Sequence, residues 1–179
     1  AIGSGGDIDT LTINVDGTLD LSAATSGIDA SNISAGGTLS LTGSGSYNNI
    51  TNLTLDGTTQ NSLTVELAAD EALTIDAFSN GNIDNGTLTF DSTNGDGAHN
   101  IADASNLAFA DGTTLAVTGN QDLNIGNSGD LALTAGDGNS VTLDASNLDA
   151  SLTVDIARNG SGAASSNDTQ TVELGTGDR

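Results

Sequence analysis

One phrase constrains this chain more than any other. Asp-Ala-Ser-Asn followed directly by an apolar residue occurs at 29–33, 103–107 and 144–148, and a drifted copy, IDAFSNGNI, at 75–83. The copies lie among short runs in which apolar residues alternate: Leu39/Leu41, Leu53/Leu55, Leu73/Ile75, Leu88/Phe90, Leu115/Val117 and Leu131/Leu133. A period of two puts one side of a strand in a core and the other in solvent. No stretch shows a helical period. Recurring short strands with recurring corners are the signature of a repeat architecture.

The spacing narrows the class. Leu19 to Leu39, Leu53 to Leu73, Leu88 to Leu107, Leu131 to Leu152 and Leu152 to Val172 are separations of 19 to 21 residues. The expected fold is therefore all-β: a right-handed parallel β-solenoid with coils of about 20 residues, forming a single domain over 1–179. Nine such coils at about 4.8 Å each make a rod of about 43 Å. A β-sandwich is the alternative, because short strands with Gly turns every 8–12 residues also build sandwiches. The eight-residue beat through Leu107, Leu115, Leu123 and Leu131 suits its hairpins. The recurrent Asp-Ala-Ser-Asn corner favours the stack.

Composition agrees. The apolar 35% is carried by Leu, Ile, Val and Ala, with three Phe, one Tyr (Tyr47) and no Trp. Thin aliphatic layers suit that content better than a globular core, which leans on aromatics for buried area. The chain has 21 Asp and three Glu (Glu66, Glu71, Glu173) against Arg158 and Arg179, a net charge of −22. Nucleic acid and anionic membrane surfaces, which need clustered cations, are poor partners. There is no Cys, hence no disulfide framework and no thiolate metal site. No apolar run approaches the 18 residues of a membrane-crossing helix. Ala1 at the start and GTGDR at the end lead us to expect a fragment of a longer extracellular chain.

The candidate site residues are acidic. Asp29, Asp76, Asp103 and Asp144 occupy the same place in the four copies. Stacked about 5 Å apart, bare carboxylates repel by about 1 kcal/mol in water and several-fold more near a protein surface. A row of them calls for a cation, and Ca²⁺, which accepts six to eight oxygens, is the expected one. Asn32, Asn106 and Asn147 would then form a hydrogen-bonding ladder along one edge. Ser92–Asp103 places Asn94, Asp96, Gly97 and Asp103 at calcium-loop offsets, with Ser in the first position, so Asp96 joins the metal candidates. His99, the only His, reads as a solvated residue of that loop, and Gly43–Asn49 as a flexible turn. With no second His and no Cys, a zinc site or a Ser-His triad is excluded. Paired carboxylates could cleave glycosides, but the aromatics and cations of a sugar cleft are missing, so no enzyme is expected. Outward Thr pairs (Thr10/Thr12, Thr87/Thr89) raise ice binding, but Ala, Asp and Glu break the pairing on most other strands.

Ser4–Thr12 (SGGDIDTLT) resembles the calcium-binding nonapeptide G-G-x-G-x-D-x-U-x, with Gly5, Asp9 and Leu11 in register and Ser4 and Asp7 standing where the motif has glycine. Glu173–Asp178 resembles the start of another such block. Together with VTLDASNL and TVELGTGD, these stretches resemble the repeats-in-toxin, type I-secreted proteins and the bacterial surface-layer proteins of that class. The resemblance implies calcium ligation by Asp7, Asp9 and Asp178, folding outside the cell and residence on the bacterial cell surface. It implies a structural segment of a surface assembly whose partners are copies of itself in a lattice or filament, with cell-surface glycan as a further partner. Gly129–Ser146 and Asn85–Phe90 resemble filamentous-haemagglutinin passengers instead, which implies the stalk or binding segment of a large secreted adhesin.

Overall fold

A computed structural model of the chain describes residues 8–20, 27–31, 33–50, 53–57, 62–83, 86–93, 97–109, 112–131, 133, 140–156 and 169–174. Among them are fifteen strands and no helix: β1 (Ile8–Asn14), β2 (Thr18–Asp20), β3 (Ile33–Gly43), β4 (Ser46–Ile50), β5 (Leu53–Gly57), β6 (Leu63–Ala69), β7 (Leu73–Ile83), β8 (Thr87–Ser92), β9 (His99–Asp103), β10 (Leu107–Phe109), β11 (Thr114–Gly119), β12 (Leu123–Gly129), β13 (Ser140–Leu148), β14 (Leu152–Val154) and β15 (Thr169–Leu174).

Every pairing is parallel, and each strand pairs with its counterpart one coil away rather than with its sequence neighbour. The first face is a seven-stranded sheet in the order β1-β3-β6-β8-β11-β13-β15. The second runs β2-β4-β7-β9-β12-β14. β7 bends and serves two faces. Its residues up to Ala77 pair with β4 and β9, and Phe78–Ile83 pairs with β5 and β10 on a third face. Single bridges, Asp29 to Thr54 and Leu131 to Ile156, continue that third face. The chain is a parallel β-solenoid that visits three faces per coil. Seven rungs at about 4.8 Å span about 29 Å.

Alternation builds the core because like residues stack. On the first face Leu11, Leu39, Val65, Phe90 and Val117 form one inward column. On the second, Ile50, Ile75, Ile101, Ile125 and Val154 form another. The middle rungs of these columns are fully buried, whereas Leu11 and Val154 at the two ends are half-buried.

The coil is longer than the spacing suggested. Same-face partners are Leu11–Leu39, Leu39–Val65, Leu63–Leu88, Leu88–Leu115, Leu115–Leu143 and Leu143–Val172, steps of 25 to 29 residues. The 20-residue beat joins different faces: Leu19 lies on β2 of the second face and Leu39 on β3 of the first. It measures the path from one face to the face before it in the next coil.

The corner between first and second faces is backbone-tight. Gly119 has φ 113°, and a Cβ there would sit 2.0 Å from the Ser92 carbonyl oxygen one rung away. Gly43, at φ 119°, would meet the Val15 oxygen at 2.3 Å. No L-residue fits either place without moving the neighbouring coil.

Two polar stretches read as loops belong to the core. Gly43–Asn49 is not a free turn: Gly43 closes β3, Ser46 opens β4, and Tyr47 is fully buried. His99 is not solvated either; it opens β9 with no exposed surface. Both stand in the inward column that holds Leu19, Leu73, Leu123 and Leu152, where each replaces a leucine.

Candidate functional site

The Asp-Ala-Ser triplets close on themselves. The carboxylate Oδ1 of Asp29 accepts the Ser31 N–H at 3.1 Å, that of Asp103 the Ser105 N–H at 2.9 Å, and that of Asp144 the Ser146 N–H at 2.9 Å. The Ser31 hydroxyl donates to Asp29 as well. This is the local bond that a short acidic side chain makes to its own backbone two residues on. Hydrogen bonds from the Ser31 hydroxyl and then its N–H hold the Asp29 carboxyl below its ordinary value, and Ser146 does the same for Asp144.

The four equivalent aspartates are not brought together. Asp29 lies on the third face beside Thr54. Asp103 ends β9, between Ala77 and Gly129 of the adjacent coils. Asp144 is on the first face, between Ala116 and Glu173. The register Ile75–Ile101, Ala77–Asp103 sets Asp76 opposite Ala102. No one of the four stacks on another, so the expected carboxylate row does not exist. The cause is phase: Asp29 to Asp103 is 74 residues and Asp103 to Asp144 is 41, neither a whole number of 25–29-residue coils. The asparagine ladder fails for the same reason. The Asn106 Nδ2 donates to the Phe78 carbonyl at 2.8 Å, Asn147 is exposed on β13, and Asn32 lies outside the described residues.

Of the remaining metal candidates, Asp7, Asp96 and Asp178 lie outside the described residues, as does the side chain of Asp9 on β1. Among the described residues no three His, Asp or Glu side chains converge where a metal ion could be held. With one oxygen of each described Asp-Ala-Ser carboxylate already bonded to its own serine, these corners do not fit a Ca²⁺ cage of six to eight oxygens.

Acidic neighbours do occur, elsewhere. Glu66 pairs with Asp91, and Asp144 with Glu173, across adjacent strands of the first face. Glu66 and Asp91 are half-buried on the outward side, since Val65, Leu67, Phe90 and Ser92 point inward. At about 4.8 Å their repulsion is about 1 kcal/mol in water and several-fold more at a protein surface. Only the true coil length could have paired them.

Tyr47 and His99 were also illegible as core residues, though a signal existed. His99-Asn100-Ile101 has the alternation of Leu73-Thr74-Ile75 and Leu123-Asn124-Ile125, on which it stacks. The His99 Nδ1 accepts the Leu73 N–H at 3.1 Å. The Tyr47 hydroxyl reaches the carbonyls of Ile13 and Thr42, tying two coils at the corner. Burial pushes the Tyr47 phenol up in pKa, against a smaller opposing effect of its bond to Thr42.

Comparison with protein families, with curated proteins and with solved structures found no match to this chain.

Proposed function

We propose that this chain is a structural segment of an extracellular bacterial surface assembly of the surface-layer type, packing against copies of itself. The observation that carries the reading is the first face. It is one continuous parallel sheet of seven strands whose outward columns are built of short side chains: Thr10, Thr38, Thr64, Thr89 and Ala116 in one, Thr87, Thr114 and Thr142 in another. Short side chains let two such sheets approach closely, and little side-chain entropy is lost in doing so.

Charge sets the condition for assembly. Copies bearing −22 each repel, and the described surface carries no Lys or Arg to offset it. Calcium enters at contacts between copies and at the segments that resemble the nonapeptide, with Asp7, Asp9, Asp96 and Asp178 as its residues. A non-catalytic role is supported by His99, whose ring is buried with Nδ1 bonded to a backbone N–H and so is not offered to a substrate.

The test is assembly itself, followed by light scattering and electron microscopy as Ca²⁺ is raised through the millimolar range and then removed with EGTA. Ordered sheets or filaments that form with calcium and dissolve with chelator support the reading. A monomer at all calcium concentrations sinks it and favours the adhesin stalk, for which corners closed without a cation are an equally good foundation.

A further inference from the structure

We infer that the three Asp-Ala-Ser corners are closed by the chain's own serine donors, so that the body of the solenoid folds without calcium at Asp29, Asp103 and Asp144. This runs against what the resemblance implies for such corners. It bears on the proposed function only in assigning calcium to contacts between copies and to the terminal segments rather than to the fold.

Three observations carry it. First, the same bond, Asp Oδ1 to the N–H two residues on, forms at all three positions with nearly the same length, although the three sit on three different faces. A bond that survives such a change of surroundings belongs to the triplet itself and not to a shared ion. Second, the neighbours along the stack are poor ligands. They are Thr54 for Asp29, Ala77 and Gly129 for Asp103, and Ala116 for Asp144, with Glu173 the sole carboxylate. A Ca²⁺ ion needs six to eight oxygens, and no corner gathers them. Third, the anionic form is already favoured from within the chain, since Ser31 and Ser146 hold their aspartates below the ordinary carboxylate value. A metal is not needed to keep these groups ionised.

Asparagine separates the two accounts, because it keeps the Oδ1 acceptor and discards the charge that calcium requires. The experiment compares thermal midpoints by circular dichroism, each in millimolar Ca²⁺ and in EGTA. The proteins are the parent, the Asp29→Asn/Asp103→Asn/Asp144→Asn variant and the corresponding triple Ala variant. The inference expects the Asn variant to melt within about 2 °C of the parent in both media, and the Ala variant to melt lower in both, by about 2–4 °C per site. Whatever midpoint gain calcium gives the parent is expected unchanged in both variants. If the triple Ala protein does not fold, the single Asp144→Ala variant is read in the same way. An Asn variant that loses the calcium gain, or that falls as far as the Ala variant, overturns the inference. Assembly is scored separately by light scattering, so loss of calcium-driven assembly with these midpoints intact would count against the proposed function alone.

Discussion

Asp103–Leu107 and Asp144–Leu148 are the same five residues in two different jobs. The first copy turns the chain from the second face to the third: its Leu107 N–H closes on the Ala104 carbonyl at 3.0 Å, and β10 follows. The second copy lies inside β13, where Ala116 pairs with Asp144 and Thr118 with Asn147, so one extra residue is carried as a bulge. Yet Ala and Leu are buried, Ser and Asn exposed and Asp intermediate in both copies, and the Asp-to-Ser bond is 2.9 Å in both. The pentapeptide dictates a local unit, two outward residues between two inward ones. The flanking chain decides whether that unit becomes a corner or a bulge.

The largest expected effect breaks the second copy's support. Gly119 pairs with Leu148 and accepts the Asp149 N–H. Gly119→Ala places a Cβ against the Ser92 carbonyl and a side chain at φ 113°, and should cost about 3–5 kcal/mol in chemical denaturation. A comparable change at Gly112, which also has positive φ but open space around it, should cost about 1 kcal/mol. Equal losses would show that the corner is not tight.

A smaller effect sharpens the difference between the copies. Asn106 holds the Phe78 carbonyl of the preceding coil, whereas Asn147 is exposed on the strand. Asn106→Ala is expected to cost about 1 kcal/mol, and Asn147→Ala less than about 0.5 kcal/mol. The reverse order would mean that the corner and the bulge have been exchanged.

The smallest effect concerns acid. Asp144 has a folded-state pKa depressed below its ordinary 3.8. Its contribution is therefore present above that value and lost as pH falls through the depressed one. The group is largely solvent-facing, so the effect is screened and small. Asp144→Asn, which cannot titrate, should narrow the gap in melting midpoint between pH 5 and pH 3 relative to the parent. A wider gap would reverse the sign of this account.

Strand positions and the parallel stack were legible because alternation is a local property written into each run, as at Leu88/Phe90 and Leu115/Val117. Coil length was not, because it depends on how the chain spends residues at corners: Leu63 to Leu88 takes 25 and Leu143 to Val172 takes 29. From that single quantity the site followed or failed. With a 20-residue coil Asp29, Asp76, Asp103 and Asp144 fall into rows; with the observed coils they scatter over three faces, and Glu66 meets Asp91 instead. Tyr47 and His99 were hidden by chemistry rather than by period. A phenol and an imidazole in a Gly-, Ser- and Asn-rich stretch read as solvent-facing until the column of leucines beside them is known.

The coil length is thus the central claim, and the cysteine-free chain allows a direct test. Thr64 and Thr89 are cross-strand partners, both half-buried on the outward side of the first face, and a rung spacing of about 4.8 Å lies within the Cα separation that a disulfide accepts. Thr64→Cys/Thr89→Cys should cross-link within the monomer on mild oxidation, seen as a shift in non-reducing gel mobility, while Thr64→Cys/Asp84→Cys, the pair that a 20-residue coil would align, should stay open. Ready closure of the second pair and not the first would contradict the solenoid register described here.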